Sequence, residues 1–149
     1  GDITLESFNF DTATIQNCTD NNLVFKINDK ELLLLSIPES SFLNEETPDG
    51  SPRIINVGTT NQIIYRLYSG NVSSATICST LPPASPVVEK EWNASGGTIE
   101  IITDALYDVD GITINGYTHN IKFKNVNFSN PDNSFSFTEY IFGNYETDL

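Results

Sequence analysis

Hydrophobic and polar residues alternate over short stretches of this chain, and clusters of Asn, Asp, Ser, Gly and Pro separate the stretches. Alternation with a period of two marks a strand with one buried face. Residues 98–103 place Ile99 and Ile101 on one face. Ile121 and Phe123 share a face further on, and Val126 and Phe128 follow in the opposite phase. That change implies a bulge near Lys124 and Asn125. Phe135, Phe137 and Ile141 alternate with Ser134, Ser136 and Thr138, the pattern of a half-buried strand, and the tail after Gly143 reads as loose.

The front of the chain reads the same way. Residues 23–27 and 31–37 form a hairpin about Asn28-Asp29-Lys30, residue types that tolerate positive φ. Leu32 to Leu35 is aliphatic throughout, which fits a strand buried on both faces. Residues 54–57 and 62–68 suggest a second hairpin around Gly58, and residues 72–78 a further short strand ending at Cys78. Residues 3–10 form a candidate first strand, with a break near Glu6 and Ser7 where the alternation changes phase. Residues 38–53 hold three prolines and Asp49-Gly50, so they read as a loop with room for one helical turn near Ser41. Asp110-Gly111 and Asn115-Gly116 are rival turns. A two-residue turn would pair odd positions with even ones and so set Ile99 and Ile101 against the face of Ile121 and Phe123. A wider tip or a bulge is therefore expected, with Tyr107 and Tyr117 near its base.

About eight to ten short strands, with turn signals every 8–12 residues or so, describe an all-β fold. The expected architecture is an antiparallel β-sandwich, immunoglobulin-like or jelly-roll-like, with a β-barrel as the alternative. The length of 149 residues fits one domain over residues 1–149. The segment ICSTLPPASPVVEKEW, residues 77–92, ties the front strands to the back ones. It carries Pro82, Pro83 and Pro86, so an extended course is expected, and it ends on the sole tryptophan, Trp92.

Charge narrows the partners. Twenty acidic residues against seven basic ones leave a formal charge of -13. Such a surface repels phosphate backbones, which argues against nucleic acid, and it is compatible with cations or neutral ligands. The longest aliphatic run, Leu32 to Leu35, is far too short for a transmembrane segment. Cys18 and Cys78 are the only cysteines and are expected to form a disulfide, which belongs to an oxidising compartment. The chain has no methionine and begins at Gly1, as expected of a mature exported protein whose signal segment has been removed. Four N-x-S/T sequons, at Asn17, Asn71, Asn93 and Asn127, matter only where the source glycosylates exported proteins.

Catalytic inventory is thin. His119 is the sole histidine and falls within an expected strand, as a surface or half-buried residue. One histidine cannot build a multi-histidine zinc site, and no G-x-S-x-G elbow, phosphate-binding loop or H-E-x-x-H occurs. Carboxylate pairs such as Glu45-Glu46 and Glu89 with Glu91 read as solvated rather than as a hydrolase pair. Asp104, Asp108 and Asp110 before Gly111 are candidate metal ligands, with calcium the cation suited to carboxylates on a tight turn. The EF-hand frame fails there, because Leu106 would take the first ligand place and Tyr117 the last. Trp92 fits the core; as an alternative it joins Tyr107 and Tyr117 as a candidate sugar-binding surface.

The run YRLYSGNVSSATICSTLPPASPVVEKEWNASGGTIEI, followed by GYTHNIKFKNVNF, resembles exported lipoproteins of Bacteroidetes-type Gram-negative bacteria, and GDITLESFNF also fits. That resemblance covers about residues 64–128 and implies a lipid-bearing cysteine upstream of Gly1 and a periplasmic, outer-membrane or cell-surface location; it brings no established activity and no catalytic residues to carry over. The expectation is a non-enzymatic cell-envelope domain with a binding or structural role toward a protein or glycan partner whose identity the sequence leaves open. A carbohydrate-binding module, with or without calcium, is the alternative, and a small carboxylate-dependent hydrolase stands behind it.

Overall fold

The computed structural model describes residues 8–19, 21, 23–81 and 83–149. Among these, nine strands form one antiparallel sheet. They are β1 (Gln16–Asn17), β2 (Leu23–Asn28), β3 (Glu31–Ser36), β4 (Arg53–Asn56), β5 (Gln62–Tyr68), β6 (Val88–Ser95), β7 (Thr98–Tyr107), β8 (Ile114–Ser129) and β9 (Ser134–Asp148). A 3-10 turn covers Glu39–Phe42, and a short helix, α1, covers Ser74–Cys78. The strands neighbour one another in the order β1-β2-β3-β5-β6-β8-β7-β4, with β9 on the other side of β8.

One bend turns this sheet into two packed layers. β6 and β7 pair with the same side of β8 in a single register, from Asn93 opposite Ser129, through Ser95 opposite Asn127 and Thr98 opposite Lys124, to Ile101 opposite Ile121. They act as one long strand folded at Gly96-Gly97. Gly96, Gly97 and Asn125 on β8 all take positive φ, at 67°, 73° and 55°. A Cβ on Gly97 would lie 2.2 Å from the Lys124 carbonyl oxygen, so the corner closes only around glycine. The phase change after Phe123 falls at Asn125, but the register runs on unbroken there, so a positive-φ kink stands where a bulge was expected. β8 and β9 cross the corner and belong to both layers, with β2, β3, β5 and β6 on one side and β4 and β7 on the other.

The main core fills the space between the layers. Leu33 and Leu35 of β3, Ile63 and Tyr65 of β5, Trp92 of β6, Ile99 and Ile101 of β7, and Ile121, Phe123, Val126 and Phe128 of β8 are all buried there. Phe8 and Phe10 enter from the N-terminal side, and Phe8 meets Phe128, Phe135, Phe137 and Tyr140 edge-on or tilted at 5.1–5.7 Å. A second cluster lies on the outer face of the first layer, where Phe25, Leu32, Leu34 and Tyr68 are covered by Val72, Ile77 and the Cys18–Cys78 disulfide. Leu32 to Leu35 is thus buried on both faces because the segment carrying α1 folds over its back.

Several elements differ from the sequence-based expectation. Residues 74–78 are helical rather than extended: with Cys78 tied to Cys18, the segment caps the outer cluster instead of joining the sheet. β4 and β5 do not form a hairpin. Both sides of β5 are taken, by β3 and β6, and β4 crosses to the other layer and pairs with β7. Ile141 points outward and is 59% exposed, because β9 changes phase after Phe137 and turns Tyr140 and Phe142 inward. The tail is a paired strand to Asp148, with Tyr145 opposite His119 and Asp148 opposite Gly116. Of the expected first strand, residues 1–7 and the break near Glu6 and Ser7 lie outside the described residues; Phe8 to Phe10 are buried or exposed loop, not strand. The β7–β8 connection has a six-residue tip, residues 108–113, which keeps odd positions opposite even ones, and the register shift between Leu106 and Tyr107 is the bulge that restores the parity.

Candidate functional site

The two open edges of the sheet that come close together are β1 and the C-terminal half of β9. Ile15, just before β1, reaches Gly143 so closely that a Cβ there would lie 3.2 Å from the Ile15 Cδ1. No strand bridges the two edges among the described residues. A seam therefore runs where a barrel would have closed.

The seam is a groove of two lobes that share Asn17 and Tyr145. The first, about 610 Å³, is lined by residues 13–15 on one side and 143–146 on the other, with Lys26 at its base. Consecutive residues line each wall, so the groove presents strand edges rather than one face of a sheet. The second lobe, about 550 Å³, is bounded by Phe42 and Glu39 of the 3-10 turn, by Asn44, and by Thr147 and Asp148 of β9. These volumes fall within the range of ligand-binding clefts.

Lys26 has an unusual placement for a charged residue. Alternation along β2 puts it in phase with Val24, facing the space between the layers, and it is 6% exposed. Its Nζ donates to the Phe10 carbonyl oxygen at 3.2 Å and lies 5.5 Å from the centre of the Phe142 ring. Burial lowers its pKa from the ordinary lysine value, and the charge of Asp11 works against that shift.

A chain of polar side chains runs from the second layer to the wall of the second lobe. Arg53 Nη1 donates to Thr103 Oγ1 at 2.6 Å, Thr103 Oγ1 meets His119 Nδ1 at 2.7 Å, and His119 Nε2 meets Thr147 Oγ1 at 2.9 Å. Thr147 Oγ1 donates to Asn44 Oδ1 at 2.7 Å, and Asn44 Nδ2 donates to the Asp148 carbonyl oxygen at 2.8 Å. The Thr147 hydroxyl gives its proton to Asn44 Oδ1, so His119 must carry its proton on Nε2 and donate to Thr147; Nδ1 of the neutral ring then accepts from the Thr103 hydroxyl. His119 is fully buried, which corrects the expected surface or half-buried position. Burial first, and the charge of Arg53 second, lower its pKa to about 4, so the ring is neutral at physiological pH. Both ring nitrogens are engaged, and the ring acts as a polar strut between β7 and β9.

The other candidates from the sequence are dispersed. Cys18 and Cys78 form the disulfide. Trp92 is buried, tilts against Tyr65 at 5.3 Å and donates from Nε1 to Asn133 Oδ1 at 2.7 Å, so it offers no sugar platform. Tyr65 is buried too, and its hydroxyl donates to Glu31. Tyr107 is half-exposed on the β7–β8 hairpin, and its hydroxyl lies 3.4 Å from Glu46; that carboxylate is the first cause that raises the phenol pKa. Tyr117, partly buried, stands nearby on β8, opposite Ala105.

Asp104 lies on β7, opposite Thr118, while Asp108 and Asp110 sit at the hairpin tip. Asp110 is occupied by its own turn. Its Oδ1 accepts from the Ile112 and Thr113 amides at 2.8 and 2.9 Å, and its Oδ2 accepts from Thr113 Oγ1 at 2.6 Å. No three His, Cys, Asp or Glu side chains gather as a metal-holding group among the described residues.

Sequence reasoning missed Lys26, Gly143 and Tyr145. The signal for Lys26 was its phase with Val24, and for Gly143 its place inside a strand, where glycine often marks a bulge. No protein-family model, no curated protein and no solved structure significantly matches the chain.

Proposed function

We propose that this chain is a non-enzymatic binding domain of the cell envelope that takes an extended segment of a partner protein into the seam between β1 and β9. One observation carries the reading: the C-terminal half of β9 borders a groove with no strand paired to its outer edge among the described residues. An unpaired edge offers main-chain donors and acceptors to another strand, and natural proteins usually blunt such edges. Here residues 143–148 contain no proline and no lysine, two common blunting devices. Strand addition would take its affinity from these main-chain groups and its specificity from the lobes on either side. The disulfide fits an oxidising compartment, and the resemblance to exported lipoproteins adds the cell envelope. Among the described residues no helix is long and apolar enough to cross a membrane.

The test is selection of a displayed random-peptide library on the oxidised protein, followed by hydrogen exchange with the synthesised winners. Selected peptides should slow exchange of the amides at 143–148. Failure to enrich any peptide, or protection confined to the hairpin tip at 108–113, would overturn the reading.

A sugar-binding reading rests on Tyr107, which is half-exposed and close to Tyr117. A glycan array whose binders are lost on Tyr107→Ala would favour it over the seam.

A further inference from the structure

A buried lysine at the base of an open groove calls for an account of its charge. Transfer of an ammonium out of water is costly unless it is paired. Among the described residues no carboxylate lies within ion-pair distance of Lys26. The ammonium has three protons to donate, and the Phe10 carbonyl takes one. Gly143 flanks it: a Cβ there would stand at ordinary contact distance from Nζ, 3.5 Å, and closer, 3.2 Å, to Ile15, at a φ of 133° that favours glycine. Lys26 lines the first lobe together with Gly143 and Glu146.

We infer that Lys26 is the anchor for a carboxylate carried by the ligand in the first lobe, an inference that rests on the seam reading for the identity of that ligand as a polypeptide. The carboxylate would accept the two remaining ammonium protons and neutralise the buried charge, and the Phe142 ring, 5.5 Å from Nζ, favours a charged head group. A singly charged carboxylate suits the place better than a phosphate. Glu146 lines the same lobe, Asp11 acts on Lys26, and the formal charge of the chain is -13, all of which oppose a second negative charge. Two sources supply such a group: the C-terminus of the bound segment, or an Asp or Glu side chain within it.

Two arms test the inference. In the first, sodium acetate is titrated at constant ionic strength, with sodium chloride as control, while amide NMR signals of residues 25–27 and 142–144 are followed. Saturable shifts in the wild type that vanish in Lys26→Met are expected. Lys26→Gln is the second variant if Lys26→Met does not fold. In the second arm, each peptide selected for the seam is compared as free acid and C-terminal amide, and with its internal Asp or Glu changed to Asn or Gln. Loss of one carboxylate should weaken binding at least tenfold in the wild type and less than twofold in Lys26→Met. Amidation identifies the terminal source, and the internal change the side-chain source. Equal affinity of all forms together with no acetate response overturns the inference; if those peptides still slow exchange at 143–148, the seam reading survives. An acetate site at Lys26 with no peptide in the seam supports the carboxylate anchor and sinks the polypeptide as its carrier.

Discussion

Thr103 and His119 stand opposite each other in the β7–β8 ladder, and their side chains join at 2.7 Å, Oγ1 to Nδ1, out of reach of water. The pair makes the protein sensitive to acid. The pKa of His119 is about 4 when folded, and an unfolded histidine titrates near 6.5. The unfolded chain therefore binds the proton first as pH falls. The contribution of His119 is fully present above pH 6.5 and is lost between there and about pH 4, by at most roughly 3 kcal/mol. Urea unfolding at pH 7, 6, 5 and 4 should show that loss in the wild type. His119→Gln should be less stable at pH 7 but flatter across the window. Burial raises the pKa of Glu31 and gives it the opposite pH trend, but it is common to both proteins and cancels in the difference. Parallel curves for the two proteins would show that His119 is not protected from protonation.

The corner makes a sharper mutational prediction. Gly97→Ala places a Cβ 2.2 Å from one carbonyl oxygen and 2.5 Å from another, at a φ of 73°. Backbone on both sides must move, and a loss above about 3 kcal/mol is expected. Gly58 has nothing within 4 Å of its added Cβ and no positive φ, so Gly58→Ala should stay within about 0.5 kcal/mol of wild type. Denaturation midpoints of the two variants decide it. Similar values would mean that the bend at Gly96-Gly97 does not fix the layer geometry.

What the sequence revealed follows from how local each feature is. Alternation exposed the strands, parity exposed the bulge beside Tyr107, and the phase change after Phe123 exposed the irregular backbone at Asn125. Each of these needs only neighbours along the chain. The partner of β4 was hidden, because the choice between β5 and β7 depends on which edges remain free after distant strands have paired. Ile141 was misplaced because nothing in Thr138-Glu139 announces a change of phase. Lys26 was hidden for a different reason. A lysine between Phe25 and Ile27 reads as the solvent face of a half-buried strand, yet both faces of β2 are covered, one by each core. The seam was invisible for the same reason as the β4 pairing: it is a relation between β1 and the last residues of β9, about 130 residues away.

The disulfide closes a long loop and holds α1 over the outer cluster. Cys18 and Cys78 are separated by 60 residues, for which loop-closure entropy corresponds to about 4 kcal/mol. Cys18→Ser with Cys78→Ser should lower unfolding stability by that order and expose Phe25, Leu32 and Leu34 to solvent. Equilibrium urea curves, with amide exchange of β2 and β3 as the local readout, check both parts. A loss under about 1 kcal/mol with unchanged exchange would mean that α1 packs by its own contacts.

The hairpin tip supplies the last prediction. Calcium would need the carboxylates of Asp104, Asp108 and Asp110 to converge, but Asp104 lies on the strand and both oxygens of Asp110 accept hydrogen bonds within the turn. Those hydrogen bonds, first from the Thr113 hydroxyl, then from the Thr113 and Ile112 amides, also lower the pKa of the Asp110 carboxyl below the usual value. Binding a cation at the tip would require the turn to give up this bonding, and the gain is set against that loss. A thermal melt in excess calcium and again in chelator should therefore give the same Tm. Asp110→Ala should lower the Tm slightly in both, by the same amount, since it removes a turn and not a metal ligand. A ligand held only by the folded state at a hundred times its Kd would stabilise by about 2.7 kcal/mol, which a melt resolves easily. A rise of that size in the wild type, absent in Asp110→Ala, would show that the turn opens for calcium and would reinstate the three aspartates as its site.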